Sequence, residues 1–481
     1  MSERRCAASV LGRVHPPIRT DPPIRSDPSI RSDPSIRSDP SIRSDPSIRS
    51  DPLRDPRDQP PMPPATVAVL ADDLTSAADG AAPFRRTGHS AVVLCDVPSD
   101  SSAARPGGSS AGPAAGSPGG LPIDRPAAPP ASPPGQGVTA VDLGTRLVDA
   151  TGAAVRTRRA AVAFAGADLL IKTVDSTLRG HVAAELRAAL AGSGRRAAIV
   201  APAFPVEGRT TVGGVQYVRG VRVDESEFAR DPAHPVRTAD LARILPEAVL
   251  VGPDGLPGAV EKGGVLVCSA VTDVDLEAIV AAVPRPEEVL WVGSPGLADA
   301  LARRHPRDPA AAPPELPPVR LPLVVVGSAN PASRRQLAAL RARSTGPVAV
   351  LHTPEERGTD PAALLARLVG EVRRTVAEGR ADGLVLTGGE TAAAVLGALG
   401  ADGIELYDEP EPGIARGTLH APAPPHVVSA GESGPLSGPS AGPPSVPQAR
   451  PRLPVLVKAG GFGDDEALVR LHTLLTAGGT R

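Results

Sequence analysis

The sequence predicts an α/β protein built as two Rossmann-like domains with mostly parallel sheets and a ligand cleft between them. Three observations carry that reading. Short apolar runs alternate with helix-like stretches along most of the chain, which is the order of a parallel sheet with crossover helices. Five Phe, two Tyr and one Trp in 481 residues leave the core to Val, Leu, Ile and Ala, as in helix-covered parallel sheets. The 58 Pro and 50 Gly are bunched, and the bunches mark where the folding segments stop.

From Asp21 to Pro52 the chain repeats Ser-Asp-Pro-Ser-Ile-Arg. A Pro every six residues forbids a helix and the period is too short for a solenoid. Residues 1–61 are therefore expected to be a disordered extension or the product of a start codon placed upstream of Met62. The first strand is expected at 66–71, followed by a helix through Phe84 and a second strand from Ser90 to Cys95. Residues 98–137 are Ser, Pro, Gly and Ala with almost nothing to pack, and read as a disordered insertion. Further strands are expected at 138–142, 168–172, 197–201, 264–268 and 289–292, with helices from His181 to Leu190 and Asp273 to Val283. These complete a first domain over 66–303. A Pro-rich linker at 304–322 precedes a second domain over 323–478, with strands at 323–326, 348–351, 383–386 and 455–457 and a second disordered insertion at 421–451.

Composition excludes several classes of function. A net charge of −2 offers no field for a phosphate backbone, and the aromatics are too sparse for base-stacking platforms, so nucleic acid is not expected as a partner. Cys6, Cys95 and Cys268 and the nine His show no metal-ligand spacing, so no metal site is expected in the protein itself. No run of about 18 apolar residues exists, and the first 60 residues lack the apolar stretch of a signal peptide. A cytoplasmic protein without membrane contact is the expectation, and a homodimer is left possible. Lysine is rare: 172, 262 and 458 are its only positions against 48 Arg, which makes each Lys slightly more informative than usual.

The second domain holds three copies of one design, an apolar strand, a small-residue turn and a helix: Gly327-Ser328-Ala329-Asn330-Pro331, Thr387-Gly388-Gly389-Glu390-Thr391, and Lys458-Ala459-Gly460-Gly461-Phe462-Gly463. At the carboxyl ends of parallel strands such turns form a ligand edge. Glycines let backbone N–H groups approach an anion, and helix N-termini add partial positive charge, so the edge suits a polyphosphate. No G-x-x-x-x-G-K-[ST] occurs, which excludes a P-loop, and the G-x-G-x-x-A string at 192–197 follows a helix and reads as a helix stop. The first domain brings charge to its strand ends: Ala71-Asp72-Asp73-Leu74-Thr75, Asp142-Leu143-Gly144-Thr145-Arg146, and Lys172-Thr173-Val174-Asp175-Ser176-Thr177-Leu178-Arg179-Gly180. Arg and Lys can hold a carboxylate, and Asp and Ser can hold sugar hydroxyls. The plainer alternative is that Asp72 or Asp73, and Asp175 or Ser176, only cap helices. Cations and carboxylates facing a polyphosphate edge are what phosphoryl transfer needs, because that reaction runs on positioning and charge neutralisation.

With the strings Ala201-Pro-Ala-Phe-Pro-Val-Glu-Gly-Arg-Thr210 and Asp224-Glu-Ser-Glu-Phe-Ala-Arg-Asp-Pro232 added to these motifs, the chain resembles the four-carbon acid sugar kinase family from about Thr66 to Leu475. The resemblance implies a sugar-acid-binding N-terminal domain, a nucleotide-binding C-terminal domain, and ATP- and Mg²⁺-dependent phosphorylation of the 4-hydroxyl of threonate, erythronate or a 3-oxo-tetronate. It implies Asp73, Arg146, Lys172, Asp175, Ser176 and Arg179 at the acid sugar, and Ser328, Gly388, Gly389, Glu390, Thr391 and Gly460 at the nucleotide; Asp72, beside Asp73, and Lys458 and Gly461, in the third glycine turn, are further binding candidates from the same motifs. Asp175 and Asp73 are the candidate catalytic carboxylates, and Arg179 the expected holder of the substrate carboxylate. Two other readings remain: a haloacid-dehalogenase-like phosphatase using Asp72 or Asp73, and a non-catalytic sensor. Against the phosphatase, adjacent carboxylates in extended backbone are expected to point to opposite faces.

Overall fold

The computed structural model describes residues 66–96, 137–231, 234–307, 316–327, 330–343, 348–354, 360–420 and 452–476. The expected N-terminal extension, the insertion at 421–451, nearly all of the insertion at 98–137, the middle of the Pro-rich linker and Ser328 lie outside the described residues.

The first half runs β1 (Val67–Ala71), α1 (Leu74–Arg86), β2 (Ala91–Leu94), β3 (Val138–Asp142), α2 (Ala150–Ala163), β4 (Leu169–Thr173), α3 (Val182–Ser193) and β5 (Ala197–Ala201). It continues through β6 (Arg209–Val212), β7 (Val215–Val218), β8 (Val221–Arg222), α4 (Leu241–Ile244), β9 (Val249–Leu250), α5 (Leu256–Lys262), β10 (Gly264–Val267), α6 (Asp273–Ala281), β11 (Val289–Gly293) and α7 (Pro295–Arg304). The second half comprises β12 (Pro322–Val326), α8 (Pro331–Arg343), β13 (Ala349–His352), α9 (Pro361–Ala377), β14 (Gly383–Thr387), α10 (Gly389–Ala398), β15 (Gly403–Glu411), β16 (Ile414–His420), β17 (Pro454–Lys458) and α11 (Ala467–Thr476).

Eight strands of the first half form one parallel array in the order β2-β3-β1-β4-β11-β5-β10-β9, and four of the second form another, β13-β12-β14-β17. The β15–β16 hairpin, which the sequence reading did not single out, pairs antiparallel with β2 on one side and β17 on the other, and so joins both arrays into one 14-stranded sheet. The pairings make the two arrays run in opposite senses. Two register shifts in the hairpin, between Leu406 and Asp408 and between Asp408 and Glu411, bend and twist it. The carboxyl-terminal edges of the two arrays meet across a cleft.

The central strands of both arrays are buried on both faces: β1, β4, β5, β11, β12, β14 and β17 have no exposed residue. Helix α1 is a helix of small residues for a steric reason. A Cβ at Gly80 would stand 2.8 Å from Val69 Cγ1 and 3.0 Å from Thr173 Cγ2, so the helix lies directly on β1 and β4. Gly194, in the left-handed region at φ 67°, ends α3, which is the helix stop expected of the G-x-G-x-x-A string. A separate antiparallel sheet, β6-β7-β8, stands beside the cleft.

Candidate active site

A cleft of about 460 Å³ lies where the two carboxyl edges face each other. One wall comes from the loops after β1, β3 and β4 and the start of β6, the other from the turns after β14 and β17. The walls approach closely: a Cβ added at Gly389 would stand 3.4 to 3.6 Å from Asp73.

On the first wall, Asp73, Arg146, Asp175, Ser176 and Arg179 line the cleft. Asp73 is the N-cap of α1, accepting from the Ser76 N–H at 2.7 Å and the Thr75 hydroxyl at 2.8 Å, and it pairs with Arg146 Nη1 at 2.6 Å. Burial opposes its ionisation, but Arg146 and the cap hydrogen bonds outweigh burial and hold its carboxyl below the usual range. Asp175 is buried too, yet Arg179, Arg146 and the Thr177 hydroxyl at 2.6 Å hold it far below the carboxylate norm. It caps no helix; α3 begins at His181 with no side-chain cap. Its bonds close its own loop instead, through Thr177 and Arg179 Nε. That loop puts Leu178 at φ 62°, a backbone region that costs a non-glycine residue about 1 kcal/mol or more.

Two expectations on this wall need correction. Asp72 does not line the cleft: its carboxyl is buried, accepts from Arg146 Nε at 2.5 Å, and has one oxygen with no hydrogen-bond partner. The neighbouring carboxylates do not diverge, because both close on the same guanidinium. A phosphatase reading thereby loses Asp72 as a nucleophile. Lys172 is 1 % exposed and also absent from the cleft wall; its Nζ pairs with Glu185 of α3 at 2.6 Å and donates to the Thr173 carbonyl. The ammonium is held inside by a buried carboxylate on the neighbouring helix, so it cannot reach a substrate without breaking that pair.

On the second wall, Gly388, Gly389, Gly460 and Gly461 line the cleft together with Asn330, Ala459 and Phe462. Gly388 adopts φ 91°, ψ 131°, accessible in practice only to glycine, and its N–H donates to the Lys458 carbonyl at 2.8 Å, tying the two turns together. Glu390 is exposed and off the cleft. Thr391 is buried behind it, packed where a Cβ on Gly327 would collide with its hydroxyl. Lys458 is fully buried and does not line the cleft either. Its Nζ donates to the carbonyls of Ala459 at 2.8 Å and Phe462 at 2.9 Å and sits 3.4 Å from that of Gly460, so it shapes the glycine turn from behind. Burial without a carboxylate partner pushes its ammonium down to about 8.

Sequence reasoning missed Asp79, Arg209, Glu227 and Phe228, all in the cleft wall. Asp79 lies inside α1, where burial, with Glu409 and Asp73 nearby, pushes its carboxyl well above the usual range. A carboxylate inside a helix of alanines was the available signal. Arg209 and Phe228 stood within the two strings 201–210 and 224–232 but were given no role. Among the described residues no group of three or more His, Cys, Asp or Glu is placed to hold a metal ion. No described helix is long and apolar enough to cross a membrane.

The fold and cleft define a two-walled α/β protein, one wall made of paired charges and the other of glycine backbone. Residues 67–301 match the family model described as a sugar-binding N-terminal domain, and 344–468 the one described as a nucleotide-binding C-terminal domain. The chain is 33% identical over 450 residues to a D-threonate kinase of Bordetella bronchiseptica, covering 84% of this chain and 96% of that one. A D-threonate kinase of Salmonella typhimurium is 31% identical over 372 residues, 63% of this chain and 79% of the relative. Relatives matched over less of the chain are named 3-oxo-tetronate kinase and D-erythronate kinase. In fold, a solved protein of Salmonella typhimurium LT2 superposes with a TM-score of 0.61 at 19% identity, over 84% of this chain and 98% of that one. The chain belongs to the four-carbon acid sugar kinase family.

Proposed function

We propose that this protein transfers the terminal phosphoryl group of ATP to the 4-hydroxyl of a four-carbon acid sugar, a threonate, erythronate or 3-oxo-tetronate, in the cytoplasm. In this reading residues 66–303 hold the acid sugar and 323–478 the nucleotide. The observation that carries it is the close approach of Asp73 to the Gly389 turn in one cleft, which puts a carboxylate of the charged wall beside the wall suited to polyphosphate.

The glycine turns offer backbone N–H groups to the phosphates, and the start of α10 adds its positive dipole end. Asp73 takes the catalytic role: it accepts a hydrogen bond from the attacking hydroxyl and receives its proton as the bond to phosphorus forms. A strongly ionised carboxylate suits a transition state in which proton removal comes late and orientation counts most. Asp175, locked to Arg179 and Thr177, shapes the acid-sugar pocket with Ser176 rather than taking the proton. Mg²⁺ usually binds through substrate phosphates and one or two carboxylates. Asp73, at the junction with the glycine turns, is a carboxylate that would be placed to share it. Bound there, Mg²⁺ would neutralise phosphate charge.

A coupled measurement of ADP release, with Mg²⁺, against both stereoisomers of threonate, erythronate and the 3-oxo-tetronates tests the reading. ADP release with at least one acid at a kcat near 1 s⁻¹ or above is expected. Absence of acid-dependent ADP release across the panel would refute it.

A further inference from the structure

We infer that Arg209, rather than Arg179, is the residue that binds the carboxylate of the acid substrate and makes the site select acids over neutral polyols. The inference rests on the kinase reading above and follows from how charge is already committed in the cleft wall.

Among the described residues three guanidinium groups line the cleft. Arg146 is held between Asp72 and Asp73, and Arg179 between Asp175 and Asp231. Each is neutralised before any ligand arrives, and each has its proton held more tightly than usual by those carboxylates, against the effect of burial. A substrate anion meeting either would have to displace a carboxylate the fold has placed there. Arg209 differs. Among the described residues no carboxylate oxygen lies within 4.0 Å of its guanidinium. Its Nη1 donates to the Glu207 carbonyl at 2.5 Å, and its buried Nε has no hydrogen-bond partner. Burial pushes its pKa down, with Glu207, Asp175 and Glu227 acting only from a distance and Arg219 opposing them. It is a cation without its anion.

The geometry around it is rigid. Phe204 and Arg209 exchange backbone hydrogen bonds at 2.8 and 3.0 Å across the turn Pro205–Glu207, which fixes the start of β6. The Phe228 ring takes the guanidinium carbon of Arg209 at 5.8 Å and that of Arg179 at 5.3 Å, so one aromatic face positions both. With Nη1 bound to a carbonyl and Nε covered by protein, Nη2 is the donor left for a substrate carboxylate oxygen, a charge-assisted hydrogen bond. The acid then lies with its carboxylate at Arg209 and its chain toward Asp73 and the glycine wall.

Steady-state kinetics of wild type, Arg209→Met, Arg209→Lys and Arg179→Met, with the best tetronate and with threitol and erythritol as uncharged analogues, test this. Arg209→Met should raise KM for the acid roughly ten- to a hundredfold, with KM for ATP within about threefold. The preference for acid over tetritol should fall by the same factor, since tetritol has no carboxylate to lose. Arg209→Lys keeps charge without the guanidinium and should fall between. Unchanged acid KM in Arg209→Met, or a loss matched by an equal loss with tetritol, overturns the assignment. If Arg179→Met alone abolishes the acid preference, the carboxylate lies on Arg179 and the kinase reading stands. Absence of acid-dependent turnover in wild type overturns both.

Discussion

The two walls of the cleft are built on the same strand-turn-helix plan and carry their charge in opposite ways. The N-terminal wall presents side chains, and two of its cations are neutralised within the wall: Arg146 by Asp72 and Asp73, Arg179 by Asp175 and Asp231. The C-terminal wall presents backbone, with Gly388, Gly389, Gly460 and Gly461 at its surface and the Lys458 ammonium behind. The contrast is sharpest in two buried lysines, each at the end of a central strand. Lys172 has a buried carboxylate partner in Glu185, whereas among the described residues Lys458 meets only carbonyls. A paired buried charge is structure, while an unpaired one next to a ligand surface is charge held in reserve for an anion. Arg209 obeys the same rule on the first wall.

The largest effect expected separates the two carboxylates that face the junction. Asp73→Asn should lower kcat by about 10² to 10⁴. Its melting temperature should barely move, because Asn caps a helix as well as Asp does. Asp175→Asn should behave in reverse, with kcat changed about tenfold or less and a lower melting temperature as the loop through Leu178 loses its clamp. Because both carboxyls are held below the usual range, kcat should stay flat as pH falls from 8 to 5. Parallel kcat and thermal midpoints check all three. If Asp175→Asn lost turnover and Asp73→Asn kept it, the division of labour on this wall would be inverted.

Next in size is Lys172→Met. Leaving Glu185 buried and unpaired should cost about 3 to 5 kcal/mol in chemical denaturation, and the double variant Lys172→Met, Glu185→Leu should recover most of it. A single variant with normal stability and a raised KM for the acid would return Lys172 to the substrate. On the other wall, Gly388→Ala forces a side chain into backbone at φ 91°, which costs about 1 to 3 kcal/mol. It should raise KM for ATP about ten- to a hundredfold and move KM for the acid far less. Equal changes in both constants would show that the walls are not separable.

Much of this was legible from residue order, and what was not has a physical pattern. Every strand end that bears on the cleft was readable, because an apolar run followed by Asp, Arg or Gly-Gly marks a parallel strand entering its turn, and Asp73, Arg146, Asp175, Arg179, Gly388 and Gly460 follow from that. Which way a strand-end side chain points was not. Lys172 and Lys458 look alike in sequence, and only the position of Glu185 on α3, opposite β4, separates them. The β15–β16 hairpin escaped notice because Gly403–Glu411 mixes Pro and acidic residues with too few apolar ones to read as a strand, and its partners lie far away in sequence. Arg209 escaped because being unpaired is a property of its neighbours, not of its own string.

The smallest effect expected comes from Lys458, and its sign can be worked out in two directions from one group. Its folded-state pKa of about 8 lies below the ordinary 10.5, so between those values the unfolded chain holds the proton more than the folded one does. Stability from this group should therefore rise as pH climbs through that window, the penalty of burying an ammonium being fully present below about 8. Nucleotide binding should run the other way. The ammonium both draws the carbonyls of Ala459 and Phe462 inward and supplies the positive charge behind the turn, and a phosphate nearby would favour keeping its proton. KM for ATP should rise roughly three- to tenfold from pH 7 to pH 9, while KM for the acid stays nearly level and the thermal midpoint does not fall in step. In Lys458→Met the KM for ATP should start high and show no such rise. A wild-type KM for ATP that is flat across pH 7 to 9, or a variant that keeps the same slope, would place the reserve of positive charge on this wall somewhere other than Lys458.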